Sequence, residues 1–177
     1  MSSYAYIGED VFISKSAEIT RPQWTVIGNH VAIDSFFYCT TKLKIQDYVH
    51  ISPHVAVIGG ERSSLIVGNF CFISVGSRLV CASEKFFGAG LIGPLVPKEY
   101  RDDITENCDI TMENFSGICA SVTVLPGVTI SEGSVVGACS LVTKNTEPWT
   151  IYKGIPAKAY KKRDSKKILN YAKKMGY

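Results

Sequence analysis

The sequence predicts an all-β solenoid: a three-sided prism of short parallel strands with one long loop thrown out of it and a short helix at the C-terminus. Three observations lead there. Apolar residues recur every six positions through most of the 177-residue chain. The side chain four positions after each of them is usually small or apolar. Gly, Asn or Pro stands where each six-residue unit must turn. An α-helix returns every 3.6 residues and a hairpin strand every two, so neither accounts for a period of six.

The repeat opens with Ile7, Ile13 and Ile19. After Arg21-Pro22-Gln23-Trp24 it resumes at Ile27, Ile33, Cys39, Ile45, Ile51 and Val57. A third run is Val67, Ile73 and Leu79, and a fourth is Met112, Ile118, Val124, Ile130, Val136 and Val142. Each six-residue unit makes one flat face and its corner, and three units make a coil whose apolar anchors stack inside. At the ~4.8 Å spacing of parallel strands, about six coils give a column on the order of 30 Å tall. Such a column is stabilised by stacking of neighbours, and its ends need caps.

Two insertions break the register. Ile58-Gly59-Gly60-Glu61-Arg62-Ser63-Ser64 adds four residues between coils. The larger insertion, about 84–108, holds Phe86, Phe87, Gly88, Gly90, Gly93, Pro94, Pro97 and Tyr100. A loop of that length leaving a regular column is usually functional and is placed to cover a site. Within Asp164–Lys174, the spacing of Ile168, Leu169, Tyr171 and Ala172 predicts a short amphipathic helix. The expected organisation is therefore one β-domain over 1–160 and a basic C-terminal helix over 161–177.

Charge is unevenly distributed. From Lys153 to Tyr177 there are nine Lys or Arg and one acid, a local +8, whereas the first 152 residues carry −5. A basic end on an acidic body suits an anionic partner. The six cysteines are far apart with no Cys-x-x-Cys pair, so they read as free thiols of a reducing compartment. Cys39 and Cys71 fall on inward positions. The opening Met1-Ser2-Ser3-Tyr4-Ala5-Tyr6-Ile7 lacks the basic-then-apolar layout of a signal peptide, and no run approaches a membrane span, so a cytoplasmic protein without membrane insertion is expected.

The tract from Ile118 to Lys144, with Leu125-Pro126-Gly127, Val136-Gly137-Ala138 and Thr143-Lys144, followed by Gly154-Ile155-Pro156-Ala157-Lys158, resembles the hexapeptide-repeat acyltransferases, which fold as left-handed parallel β-helices. The layout is similar to bacterial sugar acetyltransferases, including galactoside and maltose O-acetyltransferases and enzymes of surface-glycan and polysaccharide biosynthesis. That resemblance implies acetyl-CoA as donor, a sugar acceptor, nucleotide-linked or a surface-glycan precursor, and a homotrimer with sites between subunits. It implies that Ala120 and Ala138 offer backbone groups to the pantetheine arm, that Thr143 and Lys144 continue that contact, and that Lys158 and Lys161 hold the nucleotide phosphates. Lysine binds phosphate as a point charge, which gives the basic end a purpose.

The chain departs from its relatives in the catalytic position. Where the O-acetyltransferases carry a histidine just before the large loop, this chain has Glu84, and the insertion has no histidine. One coil earlier stands His54, at a position that in relatives binds substrate or steadies the oxyanion. His54 and Glu84 are both candidates for the general base of direct transfer, with His50 as a further outward histidine. An amine acceptor needs less help than a hydroxyl, so the missing histidine leans toward an amino sugar, with hydroxyl transfer still open. An acyl-cysteine route through Cys81 or Cys119 is the covalent alternative.

Other classes fit less well. A three-histidine metal site would have to join His30, His50 and His54, but His30 and His54 lie on different faces of the repeat, and no metal is expected. Nucleic-acid binding lacks a basic-aromatic platform. A non-catalytic β-helix scaffold is the alternative reading, and the donor-type tracts count against it.

Overall fold

The computed structural model describes residues 3–84, 86–93, 95–101 and 105–177. The chain winds into three parallel sheets that form the sides of a prism. The first face stacks Tyr6–Ile7, Thr25–Ile27, Lys42–Ile45, Ser64–Val67, Ile110–Met112 and Thr129–Ile130. The second stacks Val11–Ile13, Val31–Ile33, His50–Ile51, Phe72–Ile73, Gly117–Ile118, Val135–Val136 and Thr150–Lys153, closed by the antiparallel strand Lys158–Lys162. The third stacks Glu18–Ile19, Tyr38–Cys39, Ala56–Ile58, Arg78–Val80, Thr123–Val124 and Leu141–Val142. Six coils are complete and a seventh is begun.

Register explains why the repeat works. Ile33 pairs with Ile51, Ile51 with Ile73 and Ile73 with Ile118, so each anchor lies on the anchor one coil away. Ile27, Ile33, Ile51, Ile73, Leu79, Ile118 and Ile130 are fully buried. The small positions between them are buried too: Ser77 donates to the Cys119 carbonyl at 3.0 Å and Ser134 to the Thr150 carbonyl at 2.8 Å, so both of these hydroxyls are paired. Cys39 and Cys81 are fully buried, and that burial pushes their thiols up to about 11 and about 12. None of the six cysteines forms a disulfide. The first coil is the open end, where Ile7 is 40% exposed.

The first insertion is a small bulge held by the buried Thr41, whose hydroxyl reaches the Gly60 carbonyl and Ser63. The second leaves the column as an antiparallel pair, Ala82–Glu84 with Thr105–Asn107, and carries the 3-10 turn Lys98–Tyr100 in an outlying arm. Pro94, one of the arm's expected turn residues, lies outside the described residues.

The first corner, between the first and second faces, is laddered twice. Asn29, Asp47, Asn69 and Asn114 each accept a backbone N–H from the preceding coil, at 2.7–2.9 Å. Beside them His30, Tyr48, Phe70 and Phe115 stack ring on ring, with centroids 4.6, 4.9 and 5.4 Å apart. Trp149 ends the ladder 6.0 Å from Phe115, and it fits because Gly133 has no side chain: a Cβ there would lie 2.4 Å from the indole.

The basic C-terminal segment begins as strand rather than helix. Lys158–Lys162 completes the second face, and α1 (Lys166–Lys174) follows. From Arg163, bonded to the Phe115 and Gly133 carbonyls, α1 runs back to the third coil, where the Tyr177 hydroxyl donates to Asp47 Oδ2 at 2.6 Å. The Tyr177 ring also meets Tyr48 and Phe70 edge-on. Among the described residues no helix is long and apolar enough to cross a membrane.

Two measurements follow from this packing. Ile73→Ala, in the middle of the anchor column, is expected to lower unfolding free energy by about 2–5 kcal/mol in a denaturant titration, with Ile7→Ala at the open end losing far less. The Tyr177 hydroxyl bond is the largest influence on Asp47, whose carboxyl it holds below the ordinary 3.8, and the same bond pushes the Tyr177 phenol up to about 12. The clasp is therefore at full strength between those groups' ordinary values, 3.8 and 10.0, and weakens as pH falls through the lowered carboxyl value or rises toward 12. Tyr177→Phe should return the Asp47 titration, followed by NMR, toward the ordinary carboxylate range and speed amide exchange in α1.

Candidate functional site

The second corner, between the second and third faces, brings four of the eight candidate residues, His54, Ala120, Ala138 and Lys158, to one edge. Its outermost positions, coil by coil, are Ser16, Phe36, His54, Gly76, Ser121 and Cys139, joined by backbone bonds such as His54 N–H to the Ser35 carbonyl and Cys139 N–H to the Ala120 carbonyl. Sharp turning puts His54, Ser121 and Cys139 at φ values of 59°, 57° and 57°, which throws their side chains clear of the core. Ala120 and Ala138 immediately precede the last two, half-buried and exposed respectively.

His54 is exposed, as its place in the repeat predicts, and its ring lies on Phe36 at 4.9 Å and 14° between planes. The next coil offers Gly76 at the same place, so the imidazole has a ring on one face and no side chain on the other. Below that gap the column carries only Ser121 and Cys139. Arg78 curls back to this point, its Nη1 donating to the Gly76 carbonyl at 3.3 Å. The result is a notch with an imidazole at its upper wall, a guanidinium at its side and small residues along its floor.

Lys158 belongs to the same edge. It pairs with Lys153 across the turn at Gly154, whose N–H donates to the Ser140 hydroxyl just beyond Cys139. Lys161 pairs with Ile151 and sits farther along the second face. Both lysines are exposed and hold no ion pair among the described residues.

Glu84, Thr143 and Lys144 stand elsewhere. Thr143 and Lys144 follow the last strand of the third face, at the third corner, so the third face separates them from Ala120 and Ala138. Glu84 ends the strand that leads into the arm, also from the third corner, and its Oε1 accepts the Gly93 N–H at 3.3 Å. Within one chain, His54 and Glu84 are therefore not brought together. The arm itself is apolar and open, with Phe87 80% and Leu95 96% exposed.

The remaining histidines do not converge on His54. His30 is on the first corner, bonded to Asp10 at 2.9 Å, and His50 points out of the second face, bonded to Asp34 at 2.8 Å. The cysteine route fares poorly: the Cys81 thiol is fully buried, and burial also raises the Cys119 thiol, so neither is poised as a thiolate. Sequence reasoning missed Phe36 and Arg78. Phe36 had a signal, since it precedes His54 by the 18 residues of one coil.

No protein-family model matches the chain. It is 33% identical over 166 residues to dTDP-4-amino-4,6-dideoxy-D-glucose acyltransferase of Escherichia coli, covering 92% of this chain and 84% of that protein. It is 30% identical over 142 residues to a probable macrolide acetyltransferase of Lysinibacillus sphaericus, with 72% and 74% covered. Among solved structures it resembles a variant of AntD, an N-acyltransferase from Bacillus cereus, in complex with dTDP-4-amino-4,6-dideoxyglucose and coenzyme A. The TM-score is 0.90 at 31% identity, over 98% of this chain and 92% of that one. AntD with dTDP and 3-hydroxybutyryl-CoA gives a TM-score of 0.89 at 32% identity, over 99% and 93%.

Proposed function

The chain belongs to the hexapeptide-repeat acyltransferases, enzymes that pass an acyl group from a coenzyme A thioester to an acceptor, and from that premise we propose that it acetylates the amino group of a nucleotide-linked 4-amino sugar. The observation that carries this reading is likeness over nearly the whole chain, arm included, to enzymes named for that acceptor and crystallised with it. The departure from a loop histidine supports it as well, because a neutral amine is already a nucleophile.

In this reading His54 is the general base. The amine nitrogen attacks the thioester carbonyl carbon, a C–N bond forms as the C–S bond breaks, and the sulfur leaves as thiolate. The proton shed by nitrogen passes to His54 and on to the departing sulfur. Stacking on Phe36 holds the imidazole edge toward the notch. The Ala120 and Ala138 backbones lie on the same edge and fit a pantetheine arm running past them. Lys158, with Lys161 beyond it, meets the donor's phosphates, and Arg78 is placed for the acceptor's diphosphate. Thr143 and Lys144, on the third corner, reach a donor only across a subunit boundary. Glu84 acts through the arm by tying Gly93.

The exposed apolar arm supports a homotrimer in which the arm of one subunit closes over the second corner of the next, since so many bare rings and aliphatic side chains call for cover. Six unbridged thiols, three of them buried, fit a cytoplasmic setting.

The test is release of free thiol from acetyl-CoA in the presence of dTDP-4-amino-4,6-dideoxyglucose, with the 4-hydroxy analogue beside it. Turnover of the amine alone is expected, and 3-hydroxybutyryl-CoA in place of acetyl-CoA reads donor size. His54→Ala should lower kcat/KM about 10²–10⁴-fold, and Glu84→Gln less than tenfold; the reverse order would make Glu84 the base. Acetyl-CoA at about 100 times its Kd should stabilise the protein by about 2.7 kcal/mol, and Lys158→Ala should weaken acetyl-CoA more than dephospho-CoA. Absence of any thermal shift would leave the scaffold reading in its place.

A further inference from the structure

Beneath α1, at the first corner and the adjoining part of the second face, lies a cavity of about 240 Å³. Phe70, Phe72 and Phe115 form its floor, Ile168 and Met175 of the C-terminal segment its roof, and Arg163 borders it. Phe72 is held flat against the column because Gly117 leaves room for it; a Cβ there would lie 2.1 Å from the ring.

Arg163 gives this cavity its chemistry. Among the described residues only Nη1 has protein acceptors, the Phe115 and Gly133 carbonyls at 3.0 and 2.8 Å. The guanidinium carbon stands 5.7 Å from the centre of the Trp149 ring. Among the described residues no carboxylate pairs with it, and Nε and Nη2 have no protein acceptor. Here is a partly buried cation, answered only by dipoles and a ring face, beside an apolar chamber. Withdrawing a charge from water is unfavourable unless an opposite charge compensates it. A guanidinium edge with two open N–H groups is shaped for a carboxylate held by paired hydrogen bonds. A cavity of about 150 Å³ already accommodates benzene, so this larger one takes a single ring or a short chain together with its carboxylate.

We propose that the cavity under α1 is a binding site for a small amphiphilic monocarboxylate, its apolar body between the phenylalanines and Ile168 and its carboxylate on Nε and Nη2 of Arg163. Such a ligand bridges the column and the C-terminal segment, so its binding fastens α1 to the first corner. The site is separate from the second corner, and occupancy does not compete with coenzyme A.

Calorimetric titration of the full-length protein with hexanoate and benzoate tests this, using hexanol and benzyl alcohol as neutral counterparts and acetate as the head group alone. One carboxylate per chain is expected, at least tenfold tighter than the matching alcohol, with no measurable binding of acetate at the same concentrations. In a Trp24→Phe background, which isolates Trp149 among the two tryptophans, the same titration should shift the indole emission. Arg163→Gln should weaken binding at least tenfold. Because that change also removes two bonds to the column, Ala172→Met provides a second arm: it fills the cavity from α1, leaves Arg163 untouched and should abolish binding. Equal affinity for acid and alcohol, wild-type binding by Ala172→Met, displacement by coenzyme A, or no saturable heat would each overturn the proposal.

Discussion

Parallel pairing at a fixed one-coil offset is the constraint on which the rest of this structure depends. When Ile51 pairs with Ile73 and Ile73 with Ile118, every side chain stands on the side chain one coil away, inside and outside alike. Indoors that makes columns of isoleucine, leucine and valine at close packing. Outdoors it makes columns of whatever the sequence places there. The first corner has an amide ladder and a ring ladder side by side, and the second has Phe36 on His54 and then a run of small residues. The candidate edge is thus built by the same translation that builds the core. Its small lower half is what opens the groove.

Much of this was legible in the sequence because the translation is written there. A six-residue step gives the faces and an 18-residue step gives the columns. Phase alone makes His54 a corner residue, three after the anchor Ile51, and Cys39 and Cys71 core residues. The same arithmetic separates Thr143 from Ala138, whose outward positions belong to adjacent corners, although the resemblance grouped them as one donor contact. It also pairs Phe36 with His54. What the sequence could not yield lies where the translation stops. Arg163 finds carbonyls two different coils away, Tyr177 finds Asp47 from the far end of the chain, and Glu84 finds Gly93 inside the arm. None of these partners is related by a period, so only three-dimensional packing reveals them.

The two ends of the third face divide the chemistry between them. One edge carries an imidazole, a guanidinium and small residues; the other sends out the apolar arm and holds Glu84 by a bond that shapes the arm. A single prism cannot fold one of its edges onto another, because the stacked core makes it stiff. Chemistry that needs both edges is therefore a matter of assembly rather than of flexibility, and differences in acceptor among such chains can arise by rewriting the arm without disturbing a coil.

The C-terminal segment also changes what kind of folding problem this chain poses. A solenoid made only of neighbour contacts can unzip from either end and tolerates a missing terminal repeat. Here Tyr177 is fastened to the third coil and Arg163 to the fifth and sixth, so one strap spans four layers. That strap links layers that are otherwise strangers, converting local, piecemeal melting into something closer to a single cooperative event.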